Sequence, residues 1–365
     1  MTPAESTPLR AVDRIAHDLK RLSGETADAA GWPQRQFELL REAGVLRWGI
    51  PAEFGGITIS SREMLVGYAA LAHVCLTTAF ILTQRNGACQ RIAQSPNPAV
   101  RQRLLAPLAR GEKFATVGIS HLTTSRLHLG VPAVQAVPRD AGFELTGEIP
   151  WVTGALQAHV IVTGGVLSDG RQLLAAVSTN DPGVAVASPA RLLALAGSQT
   201  SAVALHRVRL LEADIVQPPA ESVMRQGPNV STGSLSTSAL ALGHACGALD
   251  ALDRHVAERA ELAEFATPLR REAELLERDL LDLSGPEQCG PPGGSVESLR
   301  TRANSLVLRV TQVLLAASKG AGFVSGTYAE RAVREALFFL VWSCPQPVVW
   351  ANLRELVDGV RRTPT

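Results

Sequence analysis

The segment GEIPWVTGALQAH, residues 147–159, places Trp151 and Thr153 close together at the end of a short β-branched stretch. The chain has only five Trp and two Tyr, so a large aromatic ring beside a hydroxyl is a candidate for a specific role. Taken alone, the pattern is typical of an aromatic that packs in the core before a glycine turn. The segment therefore raises the question of what the Trp151 ring faces.

Motifs of several common chemistries are absent from the sequence. It contains no HExxH zinc motif, no GxSxG nucleophile elbow and no P-loop. The glycines at 320, 322 and 326 follow a long helical pattern instead of a strand, which excludes a dinucleotide-binding βα turn. Five scattered cysteines without a CxxC pair argue against a disulfide framework and a zinc site. We therefore expect no metal centre.

The composition indicates a globular protein without a strong attraction for polyanions. The chain has 365 residues, 46% of them apolar, and 35 Lys and Arg balance 34 Asp and Glu. This balance predicts no nucleic-acid partner and no membrane partner. The N-terminus has no apolar segment of the secretory type, and the apolar stretch 65–82 contains a His and several hydroxyls. We expect a cytoplasmic protein in which residues 65–82 form one buried core helix.

The periodicity divides the chain into three parts. Up to residue 113 apolar residues recur at helical spacing, and from 114 to 218 short β-branched runs alternate with turn residues. From 219 to 365 helical spacing returns in three long apolar stripes. The pattern predicts an α+β fold that is mostly α. An N-terminal helical domain (1–113) precedes a small antiparallel β domain (114–218) and a C-terminal helical bundle (219–365).

Five phrases, in this order, resemble the acyl-CoA dehydrogenase superfamily. Residues 37–56 resemble its helix, glycine stop and "iPeeyGG" loop, and residues 101–113 resemble the segment that leads into its β domain. The segment 147–159 stands in the place of the family's W-I-T strand, and 197–210 in that of the closing strand pair. Residues 319–336 are similar to its "GGxGyxxexxxxRxxRDa" phrase. The resemblance implies that family's fold, with a C-terminal four-helix bundle.

The resemblance also implies FAD as the cofactor. It places the Trp151 ring along one face of the isoalloxazine and the Thr153 hydroxyl near the N5 edge. An aromatic wall there excludes water, and a hydroxyl tunes the electrons of the ring system. The family's second flavin strand begins T-E-P, where this chain reads GISH and offers the hydroxyl of Ser120 and the backbone N–H of Ile119.

The glycine turn near the C-terminus has a different implied role. In the family it approaches the adenine half of an FAD bound to a neighbouring subunit, which here assigns that contact to Gly320 and Ala321. The alternative is an ordinary left-handed helix stop. The resemblance thus implies a homodimer or homotetramer. Its further partners would be a small-molecule substrate, such as an acyl-CoA or another acyl thioester, and an electron acceptor.

The family's catalytic carboxylate has no counterpart at either of its usual positions. Nine residues after Arg334, where many members carry the Glu, this chain has Ser343. The other position, at the start of the first C-terminal helix, aligns with Thr237. A hydroxyl cannot serve as the base without a partner of its own. His121, in place of the Glu of T-E-P, is a candidate base because imidazole titrates near neutral pH, and Cys344 is a second candidate.

Three functional interpretations follow. The first is a flavin-dependent oxidoreductase, of the class acting on CH–CH groups, that transfers hydride from an acyl substrate to flavin with a different base. The second is a flavin monooxygenase or oxidase of the same fold, which need not remove an α-proton. The third is a degenerate, non-catalytic homologue that acts as a binding partner. The retained Trp151 and Thr153 favour the first two.

Overall fold

The computed structural model describes residues 7–25, 31–123, 130–225, 232–285, 294–342 and 344–358. Helices form the first part of the chain. They are α1 (Thr7–Glu25), α2 (Gln34–Glu42), α3 (Ser61–Val74), α4 (Leu76–Ala93) and α5 (Pro98–Ala109). Helix α2 stops before Gly44, whose φ of 79° is the left-handed conformation typical of a glycine at a helix end.

The expected single helix over residues 65–82 is wrong, because the chain breaks at Cys75. This residue has extended dihedrals, φ −152° and ψ 100°, and its Sγ lies 3.1 Å from the hydroxyl of Thr78 in the next turn. The break redirects the chain: α3 packs on α1 and α6 (Thr232–Glu258), whereas α4 packs on α5 and the first strand. A straight helix could not make both sets of contacts.

The middle part is a mostly antiparallel sheet of eight strands, as the turn-punctuated pattern predicted. The order across the sheet is β6-β7-β3-β2-β4-β5-β8, and β1 pairs with β4 in parallel. The strands are β1 (Ala115–Gly118), β2 (Val134–Arg139), β3 (Gly142–Val152), β4 (Val160–Val166), β5 (Gln172–Ser178), β6 (Val184–Val186), β7 (Ser201–Leu211) and β8 (Ile215–Ala220).

The last part is again helical. Its helices are α6, α7 (Ala263–Leu283), α8 (Val296–Gly322), α9 (Tyr328–Ala336), α10 (Phe338–Val341) and α11 (Gln346–Asp358). The helices α6, α7 and α8 pack on one another, and α9 and α11 pack on α8. The predicted apolar stripes lie in this interior, as the complete burial of Leu252, Leu276 and Leu306 illustrates. The predicted fold class is confirmed, while the residue-level domain boundaries stay predictions.

Strand β1 lies between two hydrophobic cores. Ala115 and Val117 belong to the core shared with α4 and α5. A Cβ atom at Gly118 would meet Ile149 and Val152 at about 3 Å, on the side of the core formed by the rest of the sheet. The end of β1 is therefore held from both sides, and it delivers the residues that follow to a fixed place.

Candidate functional site

The turn after β1 carries three of the predicted site residues, Ile119, Ser120 and His121. Ile119 leaves the strand with φ −125° and ψ 0°, and residues 120–122 form one turn of 3₁₀ helix. This turn contacts β3, the strand that ends next to Thr153. The structure therefore brings together the two segments of sequence that were predicted to flank the flavin.

His121 is buried and oriented by one hydrogen bond. Its Nε2 lies 3.0 Å from the carbonyl oxygen of Gly164. Because a carbonyl can only accept, Nε2 carries the proton and Nδ1 keeps its lone pair. Burial lowers the pKa of His121, and the bond to Gly164 opposes this more weakly. The imidazole is thus held neutral with a basic nitrogen at Nδ1.

Unpartnered buried polar atoms concentrate around β1. Within the described residues, five buried side-chain nitrogen or oxygen atoms lack a hydrogen-bond partner. Three of them, Thr116 Oγ1, Ser120 Oγ and His121 Nδ1, belong to β1 and the turn that follows it. Buried polar groups are normally paired, and an unpaired one is costly. These hydroxyl and imidazole groups are the kinds of donor and acceptor that the hydrogen-bonding edge of a flavin would engage, and in this structure all three atoms are enclosed by the protein.

Trp151 faces the surface, which answers the question raised by its sequence. Its side chain is 44% exposed, although Ile149 and Val152 on the same strand are fully buried. The ring is therefore not a core aromatic. An exposed indole on a strand that contacts the turn at Ser120 can cover a flat ligand without disturbing the packing beneath it.

Thr153 is enclosed, in contrast to Trp151. It is 1% exposed, and its hydroxyl lies 3.3 Å from that of Thr200. The Thr200 hydroxyl is in turn 2.9 Å from the hydroxyl of Ser198. The next residue, Gly154, has φ +65°, and a Cβ there would meet the Trp32 ring at 2.9 Å. Glycine is thus required at the turn that follows Thr153.

The predicted adenine contacts lie elsewhere in the chain. Gly320 and Ala321 are exposed near the end of α8, immediately after Lys319, where φ 54° and ψ −153° interrupt the helix. The two apolar residues after this turn, Phe323 and Val324, are 78% and 59% exposed. Helix α8 packs on α6, α7, α9 and α11.

Ser343, the residue at the usual position of the base, lies outside the described residues. Its flanks are held in place: Arg300 donates to the carbonyl oxygen of Trp342 at 3.0 Å, and Asn304 donates to that of Phe339 at 2.9 Å. Burial raises the pKa of Cys344, which keeps it a thiol and argues against a nucleophilic thiolate.

The other usual position is occupied by Thr237, which is buried in α6. Sequence reasoning missed Thr200 and Ser198, because only the pairing of β3 with β7 brings their segment to Thr153. It also missed the buried Arg300, which reads as an ordinary helical arginine. No local signal distinguishes these residues in the sequence.

The comparisons with known proteins agree with this geometry. A sequence model for the N-terminal domain of acyl-CoA dehydrogenases matches residues 10–112. The chain is 25% identical over 251 residues to the probable acyl-CoA dehydrogenase YngJ of Bacillus subtilis, which covers 66% of this chain and 65% of that protein. The match thus spans just under two thirds of the relative's length.

Two solved structures have the same fold. Butyryl-CoA dehydrogenase from Megasphaera elsdenii superposes with a TM-score of 0.81 at 16% identity, covering 96% of this chain and 98% of that one. Dibenzothiophene monooxygenase from Paenibacillus superposes with a TM-score of 0.81 at 18% identity, covering 99% of both chains. The resemblance of the sequence phrases to the acyl-CoA dehydrogenase superfamily is supported by the family model over residues 10–112 and by the shared fold over nearly the whole chain. The fold of this superfamily serves both dehydrogenases and monooxygenases.

In the part of the chain that the structure describes, no helix combines the length and the apolar character that crossing a bilayer requires.

Proposed function

We propose that this protein is an FAD-dependent oxidoreductase that transfers hydride from an acyl substrate, such as an acyl-CoA thioester, to the flavin. The carrying observation is the cluster of unpartnered buried atoms of Thr116, Ser120 and His121, on β1 and on the turn after it, which contacts the strand of the exposed Trp151. A flavin combines a flat apolar face with a polar edge, so its site needs an aromatic or apolar surface and a set of hydrogen-bonding groups. The similarity to acyl-CoA dehydrogenases supports FAD as that ligand.

The chain's own residues would hold the cofactor, which supplies the two-electron acceptor when bound. The Trp151 ring covers one face and excludes water. The Ser120 hydroxyl and the backbone N–H of Ile119 would donate to the polar edge, and the Thr153 hydroxyl would serve the N5 edge. Each of these groups is uncharged, so they orient the ring system by hydrogen bonds and contact area.

The adenine half requires a second copy of the chain in this proposal. Gly320 and Ala321 offer exposed backbone at the interrupted end of α8, and Phe323 beside them offers an exposed apolar surface. A homodimer or homotetramer would cover this surface and bring the turn to the neighbouring cofactor. An electron acceptor would then reoxidise the flavin.

His121 is the proposed proton acceptor. Its Nδ1 carries the free lone pair, and the bond from Nε2 to Gly164 fixes the ring. The substrate's α-proton would pass to Nδ1 as hydride leaves the β-carbon for the flavin, which balances the loss of two hydrogens. Neutral imidazole is the form that can accept this proton, and burial favours that form.

A flavin monooxygenase is the second candidate. Thr237 and Ser343 at the usual base positions favour it, because oxygen chemistry requires no abstraction of an α-proton. The likeness to dibenzothiophene monooxygenase over 99% of both chains adds support at the level of the fold. A non-catalytic binding partner is the remaining alternative.

One experiment separates these functions. The purified full chain is supplied with FAD, and its visible spectrum is recorded without oxygen before and after a panel of acyl-CoA thioesters. Bleaching of the bound flavin is the expected result. Bound flavin that no thioester reduces, but that an external reductant and oxygen turn over, would favour the monooxygenase. A chain that binds no flavin would be the non-catalytic homologue.

A further inference from the structure

We infer that Arg91 binds a carboxylate at the end of the acyl chain that is remote from the thioester. This inference rests on the proposed function and deepens it by naming the substrate class, an acyl thioester with a second, free acid group. It starts from the guanidinium of Arg91, which lies in the last turn of α4, the helix that packs on β1.

Most of the hydrogen-bonding capacity of Arg91 is unused. Its Nη1 donates to the carbonyl oxygen of Gly87 at 3.0 Å. Within the described residues, nothing accepts from its Nε or its Nη2. The side chain is partly buried, but these two nitrogens are not sealed in the interior, in contrast to Nε of Arg331. They are therefore accessible to a ligand that approaches along α4.

The charge of Arg91 has no counterpart among the described residues. Burial lowers its pKa to about 10, which leaves it charged at neutral pH, and no carboxylate of these residues lies close enough to raise that pKa. Three other partly buried arginines, Arg270, Arg302 and Arg309, each form an ion pair with an acid. A partly buried cation without a partner is unfavourable, and an anionic group of a ligand would supply that partner.

The space beside this guanidinium is narrow. A Cβ atom at Gly87 would lie 3.6 Å from Nη1 of Arg91 on one side and 3.6 Å from a methyl group of Val117 on the other. Because these are ordinary contact distances, the missing side chain leaves a slot between Gly87, Arg91 and Val117 about as wide as one flat group. A carboxylate is planar and pairs with a guanidinium in its plane, so it suits this slot. The phosphates of a CoA group are tetrahedral and esterified, and are therefore wider.

The slot lies within reach of the proposed reaction centre. Val117 precedes Ser120 by three residues, which separates them by at most about 10 Å. The proposed flavin edge and proton acceptor are at Ser120 and His121. An extended acyl chain of medium length spans this separation, so a substrate that reacts at its α- and β-carbons would place the opposite end of its chain at the slot.

The test compares adipyl-CoA, whose acyl chain ends in a carboxylate, with hexanoyl-CoA, which has the same number of carbons and ends in a methyl group. Calorimetry of the FAD-loaded chain measures both affinities, and the visible spectrum records flavin reduction separately. The wild type should bind adipyl-CoA more tightly. Arg91→Met keeps the aliphatic stem and removes the charge, so it should weaken adipyl-CoA binding about tenfold or more and change hexanoyl-CoA binding little.

Arg103→Met is the matched control. It removes the same charge from α5, where Arg103 pairs with Asp214, and it should keep the wild-type preference for adipyl-CoA. If Arg91→Met does not fold, Arg91→Lys keeps the charge without the planar fork and should lower only the affinity for adipyl-CoA, by a smaller factor.

Other outcomes would overturn the inference. Equal losses for both thioesters in Arg91→Met would assign Arg91 to the CoA phosphates, and unchanged affinities would leave it as a cap on the carbonyl end of α4. If neither thioester binds the wild type, the inference fails together with the proposed substrate. If adipyl-CoA binds through Arg91 but reduces no flavin, the proposed function fails while the carboxylate site is supported.

Discussion

His121 and Gly164 are joined by a hydrogen bond of 3.0 Å that leaves Nδ1 of the imidazole buried with a free lone pair. This pair connects the turn after β1 to the strand β4 alongside it. This contact orients the proposed proton acceptor, whereas burial disfavours its charged form. The two effects can be tested separately, because the charge affects stability and the orientation affects catalysis.

The stability of the folded chain should depend on pH through His121. Burial lowers the folded-state pKa of His121 below the ordinary value of 6.5, so below that pH the unfolded chain binds a proton that the folded chain does not. Stability should therefore fall as the pH decreases from 6.5, by about 1.4 kcal/mol per pH unit until the folded-state pKa is reached. Urea unfolding of the wild type and His121→Gln between pH 7.5 and 5 measures this, and the variant should lose less stability.

The same variant tests catalysis. The amide of Gln can still donate to Gly164 but offers no basic nitrogen. If thioesters reduce the flavin through His121, His121→Gln should slow the reduction at least about a hundredfold while FAD affinity changes little. A rate equal to that of the wild type would remove His121 from the mechanism.

Trp151→Ala should loosen the flavin without unfolding the chain. The ring is 44% exposed, so its loss should change the free energy of unfolding of the apoprotein by less than about 0.5 kcal/mol. Loss of its contact with a flat ring should weaken FAD binding about tenfold. Trp350→Ala is the matched control, because that ring is 53% exposed on α11, and it should bind FAD normally. Fluorescence titration with FAD gives the dissociation constant of each variant. Equal FAD affinities of Trp151→Ala and the wild type would reject a contact between Trp151 and the flavin.

The segment before Ser343 should depend on Asn304 for its stability. Asn304 Oδ1 accepts from Nε of the buried Arg300 at 2.9 Å. Burial lowers the pKa of Arg300 to about 10, which leaves it charged at neutral pH. Asn304→Ala removes a partner of this charge and should cost about 3 kcal/mol in urea unfolding. Arg302→Met breaks a partly exposed ion pair with Asp279 and should cost at most about 1 kcal/mol. Equal losses of stability in the two variants would contradict a stabilising role for the hydrogen bonds of Arg300 and Asn304.

The two glycines of the loop formed by residues 51–56, PAEFGG, should differ in how much stability the chain loses when each is replaced by alanine. A Cβ at Gly56 would lie 1.9 Å from the carbonyl oxygen of Ile50, so Gly56→Ala should cost about 3 kcal/mol or more. Gly55 has φ +81° with open space around it, so Gly55→Ala should cost only about 1 kcal/mol. Thermal unfolding of both variants tests this order, and the reverse order would mean that the loop is shifted.

The overall architecture was predictable because the spacing of apolar residues along the sequence indicates helices and strands locally. Apolar residues recur at helical spacing on both sides of a stretch in which they alternate, and this gives the order of the three parts. Sequence phrases such as that around Trp151 add the resemblance to acyl-CoA dehydrogenases. The break at Cys75 was not predictable, since residues 65–82 read as one continuous helical stretch and only their separate packing partners divide them. Thr153 and Thr200 meet because β3 pairs with β7, and such pairing depends on the register of distant strands.

The different environments of two tryptophans make the chain its own optical probe. Trp48 is 1% exposed within the helical core, whereas Trp151 stands at the surface beside the proposed flavin site. Emission from the enclosed indole should report melting of the core by a shift to longer wavelength. Emission from the exposed indole should be quenched when a flat chromophore covers it. In a variant that keeps Trp48 and Trp151 and replaces the other three tryptophans, one spectrum can therefore follow unfolding and cofactor loading as separate signals, without an attached label.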